Sequence, residues 1–257
     1  MKNRFLVISV KDLVRCGVFA LAVLGVVSVA TKGVNRVVET SASGQRLLPI
    51  YSVERSDNKV ALTFDCAWGA DDIPSIVETL EENDVRATFF AVGTWVDKYP
   101  EAVKLLAEAG HDIGNHSNSH AHVNKMSYEA NLEDMQKCNE KIETLAGDSV
   151  TLYRGPYGEY NNTVIRAAKD LHLEIIQWDV DTLDYLGKSP DEMCQRIEEK
   201  IRSGSIILMH NDTDYTAKGL QQIIDKIQGL GYEIVPVSEL IYTGEYTIDS
   251  TGRQKQK

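Results

Sequence analysis

The side chains with the most chemical capacity in this chain share a setting. Asp65, the pair His116 and His120, Arg154, the trio Asp179, Asp181 and Asp184, and His210 each come directly after a short apolar run. Two imidazoles four positions apart can place two nitrogens on one divalent ion, which would lower the pKa of a bound water and polarise a carbonyl. Asp65 is a candidate general base. His210 is a candidate general acid, and a nearby carboxylate, with Asp181 as first choice, would keep its imidazolium protonated. Hydrolysis of an unreactive amide needs such a set, because water has to be activated and the departing amine protonated. Taken singly, each group would read as a satisfied strand end or a structural ion pair. His111, His122 and His172 fall outside this arrangement and read as surface or packing residues.

Positioning these groups is a matter of what alternates before them. Short β-rich runs are expected at 60–64, 87–92, 112–115, 151–153, 174–178, 205–209 and 233–237. Between them, 73–82, 100–109, 128–145, 163–171, 190–202 and 218–228 carry the 3.6-residue apolar spacing of amphipathic helices. Gly110, Gly204 and Gly231 stand where three of the helices should stop. Strands alternating with helices predict an α/β fold of parallel strands and crossover helices. Such folds build their sites beyond the C-terminal ends of the strands, where the polar groups named above converge.

A chain of 257 residues with 43% hydrophobic content supports one main domain. Its formal charge of −11 argues against nucleic acid as a partner, since backbone binding requires a basic footprint. Residues 1–31 read as a targeting segment: Lys2, Arg4, Lys11 and Arg15 precede an apolar run from Cys16 to Ala30. A cleaved signal peptide and an uncleaved single-pass membrane anchor both fit that run, and either one exports the chain, to be secreted or held at the membrane with its domain outside. The polar, aperiodic stretch 32–58 reads as a stalk with one short strand near 47–51, residues 59–242 as the catalytic domain, and 243–257 as a tail, disordered from 250 on.

Five motifs in order carry a family resemblance: Thr63-Phe64-Asp65, His116-Ser117-Asn118-Ser119-His120, Arg154-Gly155-Pro156-Tyr157-Gly158, Asp181-Thr182-Leu183-Asp184-Tyr185 and Leu208-Met209-His210. Over roughly 59–240 the chain resembles the NodB-homology polysaccharide deacetylases of carbohydrate esterase family four. The string Phe64-Asp65-Cys66-Ala67-Trp68-Gly69 is similar to a branch found in spore-forming bacteria, which points to sporulation and to peptidoglycan as the polymer. The resemblance implies a distorted seven-stranded (β/α) barrel, N-deacetylation of a cell-wall glycan, and a divalent metal, zinc or another transition ion such as cobalt, on His116 and His120. It also implies that Arg154 pairs with Asp65 and holds its carboxylate in place. Tyr157, in a Pro and Gly turn, would offer a backbone N–H as an oxyanion donor, and Trp68 and Trp178 would join it in binding substrate.

One departure bears on the metal. Most family members carry a second Asp after the first, as a metal ligand, where this chain has Cys66. Cys66 could supply a thiolate, which would favour zinc, Asp71 or Asp72 could reach in from the following loop, or Cys66 could be a small packing residue. A disulfide between Cys138 and Cys194 is open on sequence alone. The leading function is a metal-assisted deacetylase, and the alternative is a catalytically weakened carbohydrate-binding or scaffold protein of the cell envelope. A glycoside hydrolase would need two carboxylates facing each other across the bond, and Asp65 is accompanied by imidazoles instead.

Overall fold

In the computed structural model residues 46–257 are described, so the targeting segment 1–31 and most of the stalk lie outside the described residues. The strands are β1 (Ser52–Val53), β2 (Lys59–Cys66), β3 (Thr88–Ala91), β4 (Asp112–Asn115), β5 (Leu152–Tyr153), β6 (Glu174–Ile175), β7 (Val180–Asp181), β8 (Ile206–His210), β9 (Glu233–Ile234), β10 (Tyr246–Ile248) and β11 (Arg253–Gln256). The helices are α1 (Ile73–Glu82), α2 (Gly93–Lys98), α3 (Pro100–Glu108), α4 (Tyr128–Ala146), α5 (Asn162–Asp170), α6 (Pro190–Lys200), α7 (Thr216–Gly229) and α8 (Val237–Leu240). The six predicted helices form within two residues of their expected ends, and Gly147, with φ of +83°, stops α4 in the left-handed conformation.

All pairings from β2 to β9 are parallel, in the order β6-β5-β4-β3-β2-β8-β7, with β9 beside the start of β2. The run expected at 174–178 ends early, as β6, which pairs with β5, and a separate strand beyond it, β7, pairs with β8, which itself pairs with β2. β6 and β7 are not paired with each other, so the sheet stays open between them as a half-barrel, which is the distortion of the barrel. Ile50 fills the break by bridging Ile176, its N–H bonded to Ile175 O and its carbonyl to the Gln177 N–H.

Strand alternation sorts the core into two layers. Along β2, Val60, Leu62, Phe64 and Cys66 face the helices, whereas Ala61 belongs to an inner cluster with Ile50, Phe90, Leu152, Ile176 and Ile206. Thr63 and Asp65 share that inner face by period, so the outward-facing apolar row anchors the strand while its inner row carries the polar groups.

Two expectations at the domain's edges are corrected. Residues 47–58 are part of the domain rather than a stalk: the Leu47 N–H bonds Asn162 Oδ1, and β1 pairs with β11. The expected tail is a hairpin, β10 antiparallel to β11. Its hydrophilic sequence hid one buried side chain, Gln254, which accepts from the Tyr242 N–H and donates to the Tyr242 carbonyl, both at 2.8 Å. Gln254→Ala would leave that peptide's polar groups without partners at a cost of about 1–3 kcal/mol, lowering the melting temperature by several degrees. A thermal unfolding curve unchanged by the substitution would remove the hairpin from the folded unit.

Candidate active site

Asp65 is the last inward-facing residue of β2, and Arg154 follows β5 on the same side. The Arg154 guanidinium is wholly buried and donates to Asp65 Oδ1 at 2.7 Å, to Thr63 Oγ1 at 2.8 Å and to the carbonyls of Ile176 and Gln177, with Phe90 packed 4.1 Å below its centre. Burial by itself would push the Asp65 carboxyl up, but the charge of Arg154, helped by His116 and His210, holds it below the ordinary carboxylate range. Asp65 is thus an ionised carboxylate with one oxygen anchored and the other free.

The free oxygen, Oδ2, lies 3.5 Å from His116 Nε2. His116 Nδ1 sits 2.8 Å from the Arg154 carbonyl, which can only accept, so Nδ1 carries the proton and Nε2 presents a lone pair. Burial lowers this imidazole's pKa. His120, in the left-handed region at φ of +55°, places its ring 5.2 Å from His116, and its Nδ1 is 3.2 Å from the Tyr157 hydroxyl. Burial and the neighbouring His116 bring His120 down to about 4, so both rings are neutral near pH 7. Buried Asp134 of α4 pins the loop between them, accepting from the Asn118 N–H and the Ser119 hydroxyl.

Cys66 is not where a metal ligand would be. It faces the helices, has no exposure and no place on the cavity wall, and burial drives its thiol pKa far above the ordinary value, so it stays a thiol. The physical reason is the strand period, which turns position 66 away from position 65. Asp72 is engaged by Asn211 and the Asp212 N–H, and neither it nor Asp71 lines the cavity. Two neutral imidazoles suit a divalent ion, but among the described residues no group of three metal-ligating side chains gathers. The three-donor set of a catalytic zinc centre is therefore not assembled. Cys138 and Cys194 are free thiols, so the disulfide left open by the sequence is absent.

His210 closes β8. Its carboxylate partner is Asp184, not Asp181: Asp184 Oδ1 lies 2.8 Å from Nδ1, while Oδ2 accepts the His210 N–H and the Thr216 hydroxyl. Leu183, at φ of +57°, reverses the chain after β7 and brings Asp184 back beneath the end of β8. Burial opposes the His210 charge, yet the Asp184 bond and the Asp65 charge outweigh it and raise the pKa above the ordinary 6.5. Asp181 instead accepts the Leu183 N–H through Oδ1 and lines the cavity.

These groups face one cavity of about 370 Å³, walled by Asp65, His116, His120, Asp181 and His210, with Trp68, Tyr157, Trp178 and Tyr185 at its rim. Trp68 and Tyr157 are 66% and 60% exposed, unusual for residues of this size and suited to stacking on a sugar face. Sequence reasoning passed over His122 and Glu159. His122 stacks on Tyr157 with centroids 4.6 Å apart and is held by Glu159 at 2.8 Å. The signal available was their position beside the second and third motifs.

Three measurements test this geometry. Asp184→Asn should lower the His210 pKa, followed by NMR titration, while Asp181→Asn should move it far less; the reverse order would restore Asp181 as partner. A raised imidazole contributes stability that is complete below the ordinary histidine range and lost as pH rises through the elevated value, so Asp184→Asn should also flatten that loss. Cys66→Ala should cost about 1 kcal/mol and leave zinc binding and the His116 and His120 signals unchanged. Loss of zinc with the circular dichroism intact would put the thiol on the metal.

Comparison with known proteins identifies the family. A family model described as polysaccharide deacetylase matches residues 52–176. The uncharacterised protein YlxY of Bacillus subtilis is 34% identical over 75% of this chain and 60% of its own length. The structure of BA3943 from Bacillus anthracis, described as a CE4 family pseudoenzyme, superposes with a TM-score of 0.73 at 32% identity, covering 81% of this chain and 73% of that one. The Bc1960 peptidoglycan N-acetylglucosamine deacetylase superposes with a TM-score of 0.73 at 31% identity, covering 76% of this chain and 93% of that one. The chain spans 45–62% of the length of the first curated relatives it matches. By its motifs, its barrel and these similarities, the chain belongs to the polysaccharide deacetylases of carbohydrate esterase family four.

Proposed function

We propose that this chain removes acetyl groups from N-acetylated sugar residues of a cell-wall polysaccharide by hydrolysis, with peptidoglycan as the polymer. The observation that carries this reading is a base and an acid on one cavity, each held in its working protonation state by its own buried partner: Asp65 by Arg154, His210 by Asp184. Asp65 Oδ2 takes a proton from the attacking water, and His210 Nε2 gives one to the departing amine. The Tyr157 backbone N–H is the candidate donor to the developing oxyanion, and the exposed rings of Trp68, Tyr157 and Tyr185 hold the glycan. A divalent ion, when bound through His116 and His120, would activate water and polarise the carbonyl. The basic and apolar segment at 1–31 supports export of the chain to the envelope, as a membrane-anchored or secreted protein.

A second reading, a glycan-binding protein of the envelope with weakened catalysis, is favoured by one observation: Cys66 faces the core and leaves the metal site with two protein donors. Its resemblance to a protein described as a pseudoenzyme points the same way. Acetate release from peptidoglycan and from chitin oligomers, with zinc or cobalt supplied, separates the two. The deacetylase reading expects turnover that falls at least two orders of magnitude in Asp65→Asn. Glycan binding by the wild type without any acetate release would establish the second reading.

A further inference from the structure

Tyr157 reaches the cavity from a left-handed backbone, with φ of +60° and ψ of +15°, which a residue carrying a Cβ keeps only where its surroundings enforce it. The Glu159 N–H bonds the Pro156 carbonyl at 3.0 Å, and so holds one side of the peptide whose other side is the Tyr157 N–H. That N–H has no backbone acceptor among the described residues. The Glu159 side chain reaches further, accepting from His122 Nδ1 at 2.8 Å through one oxygen and from the Asn124 N–H at 3.2 Å through the other. His122, fixed in this way, lies face to face with the Tyr157 ring, centroids 4.6 Å apart and planes 22° from parallel. His120 meets the same ring edge-on at 4.7 Å. Glu159 therefore grips the Pro156–Tyr157 peptide twice, directly through its main chain and through His122 from the side of the ring. Neither His122 nor Glu159 lines the cavity, so any effect they have on substrate passes through Tyr157.

We propose that His122 and Glu159 are a positioning pair that holds the Tyr157 ring, and with it the left-handed turn that keeps the Tyr157 N–H in place as oxyanion donor. This rests on the deacetylase reading, which gives that N–H its task. The stabilisation from one stacked aromatic pair is of the same order as the cost of a non-glycine residue in the left-handed region. Losing the stack thus frees the turn to relax. An oxyanion donor acts on the transition state and not on the bound substrate, so the pair should govern kcat rather than KM.

The test joins the kinetics of acetate release from chitin oligomers, with zinc supplied, to the Tyr157 amide signal in NMR spectra. His122→Ala should lower kcat about tenfold, the size of one lost aromatic pair, and shift the Tyr157 amide. KM should stay within about threefold, since Trp68 and Tyr185 still hold the glycan. Adding Glu159→Ala to His122→Ala should lower kcat little further, because the two act as one unit. His122→Phe, which keeps the stack without the bond to Glu159, should restore most of both kcat and the amide signal. Wild-type kcat in His122→Ala, a rise in KM alone, or His122→Phe no better than His122→Ala would each overturn the inference. Should the wild type release no acetate, the deacetylase reading falls and the amide signal decides. Shifted in His122→Ala and restored in His122→Phe, it keeps the pair as what positions Tyr157; unmoved in His122→Ala, it removes the pair as well.

Discussion

The buried pair of Arg154 and Asp65 is the constraint on which the rest of the domain is built. A guanidinium cannot shed its charge, so enclosing it obliges the fold to surround it with acceptors. Those acceptors come from β2, through Thr63 and Asp65, and from the carbonyls of Ile176 and Gln177 in the break between β6 and β7. The same contacts that keep the charge tolerable thus hold the irregular closure of the barrel. Removing either partner would strand the other as an unpaired buried charge, which is far more costly than the pair itself is stabilising. The pair serves the site by fixing which carboxylate oxygen is occupied and which is free.

His210 shows the same logic with the opposite sign. Asp65 is a carboxylate held down by a cation, and His210 is an imidazole held up by an anion, and the two stand side by side as register partners on adjacent strands at one cavity. On the same cavity His116 and His120 are stripped of charge by burial. Three protonation states are therefore set side by side by three environments, with little reliance on exposed groups.

Much of this was legible beforehand because it depends on period. Apolar spacing located six helices and the strand ends, and residues after strand ends in a parallel α/β fold must share a mouth, so Asp65, His116, His120, Arg154 and His210 could be grouped without coordinates. What periodicity does not report is where a turn sends the chain. The choice between Asp181 and Asp184 hinged on a left-handed Leu183, which no apolar pattern announces. The side of the strand taken by Cys66 was readable from alternation with Phe64, but the family's usual ligand at that position drew attention to the wrong face. The edge at 246–256 was missed because its contacts are mainly backbone ladders and one buried amide, which leave no hydrophobic trace, and the edge at 47–58 because its buried Ile50 and Val53 lie in an apolar run too short to show a period.

The pairing of β1 with β11 ties the two ends of the domain into one small sheet. Ser52 and Arg253 are register partners although about two hundred positions separate them. A contact of that span is among the last a growing or threading chain can make, since both strands must be present before either is paired. Until then Ile50, which fills the gap in the barrel wall, is held by fewer neighbours. Closure of the barrel wall is in this way coupled to the pairing of β11, so a break in the chain anywhere along the two hundred intervening positions loosens the seam that Ile50 fills.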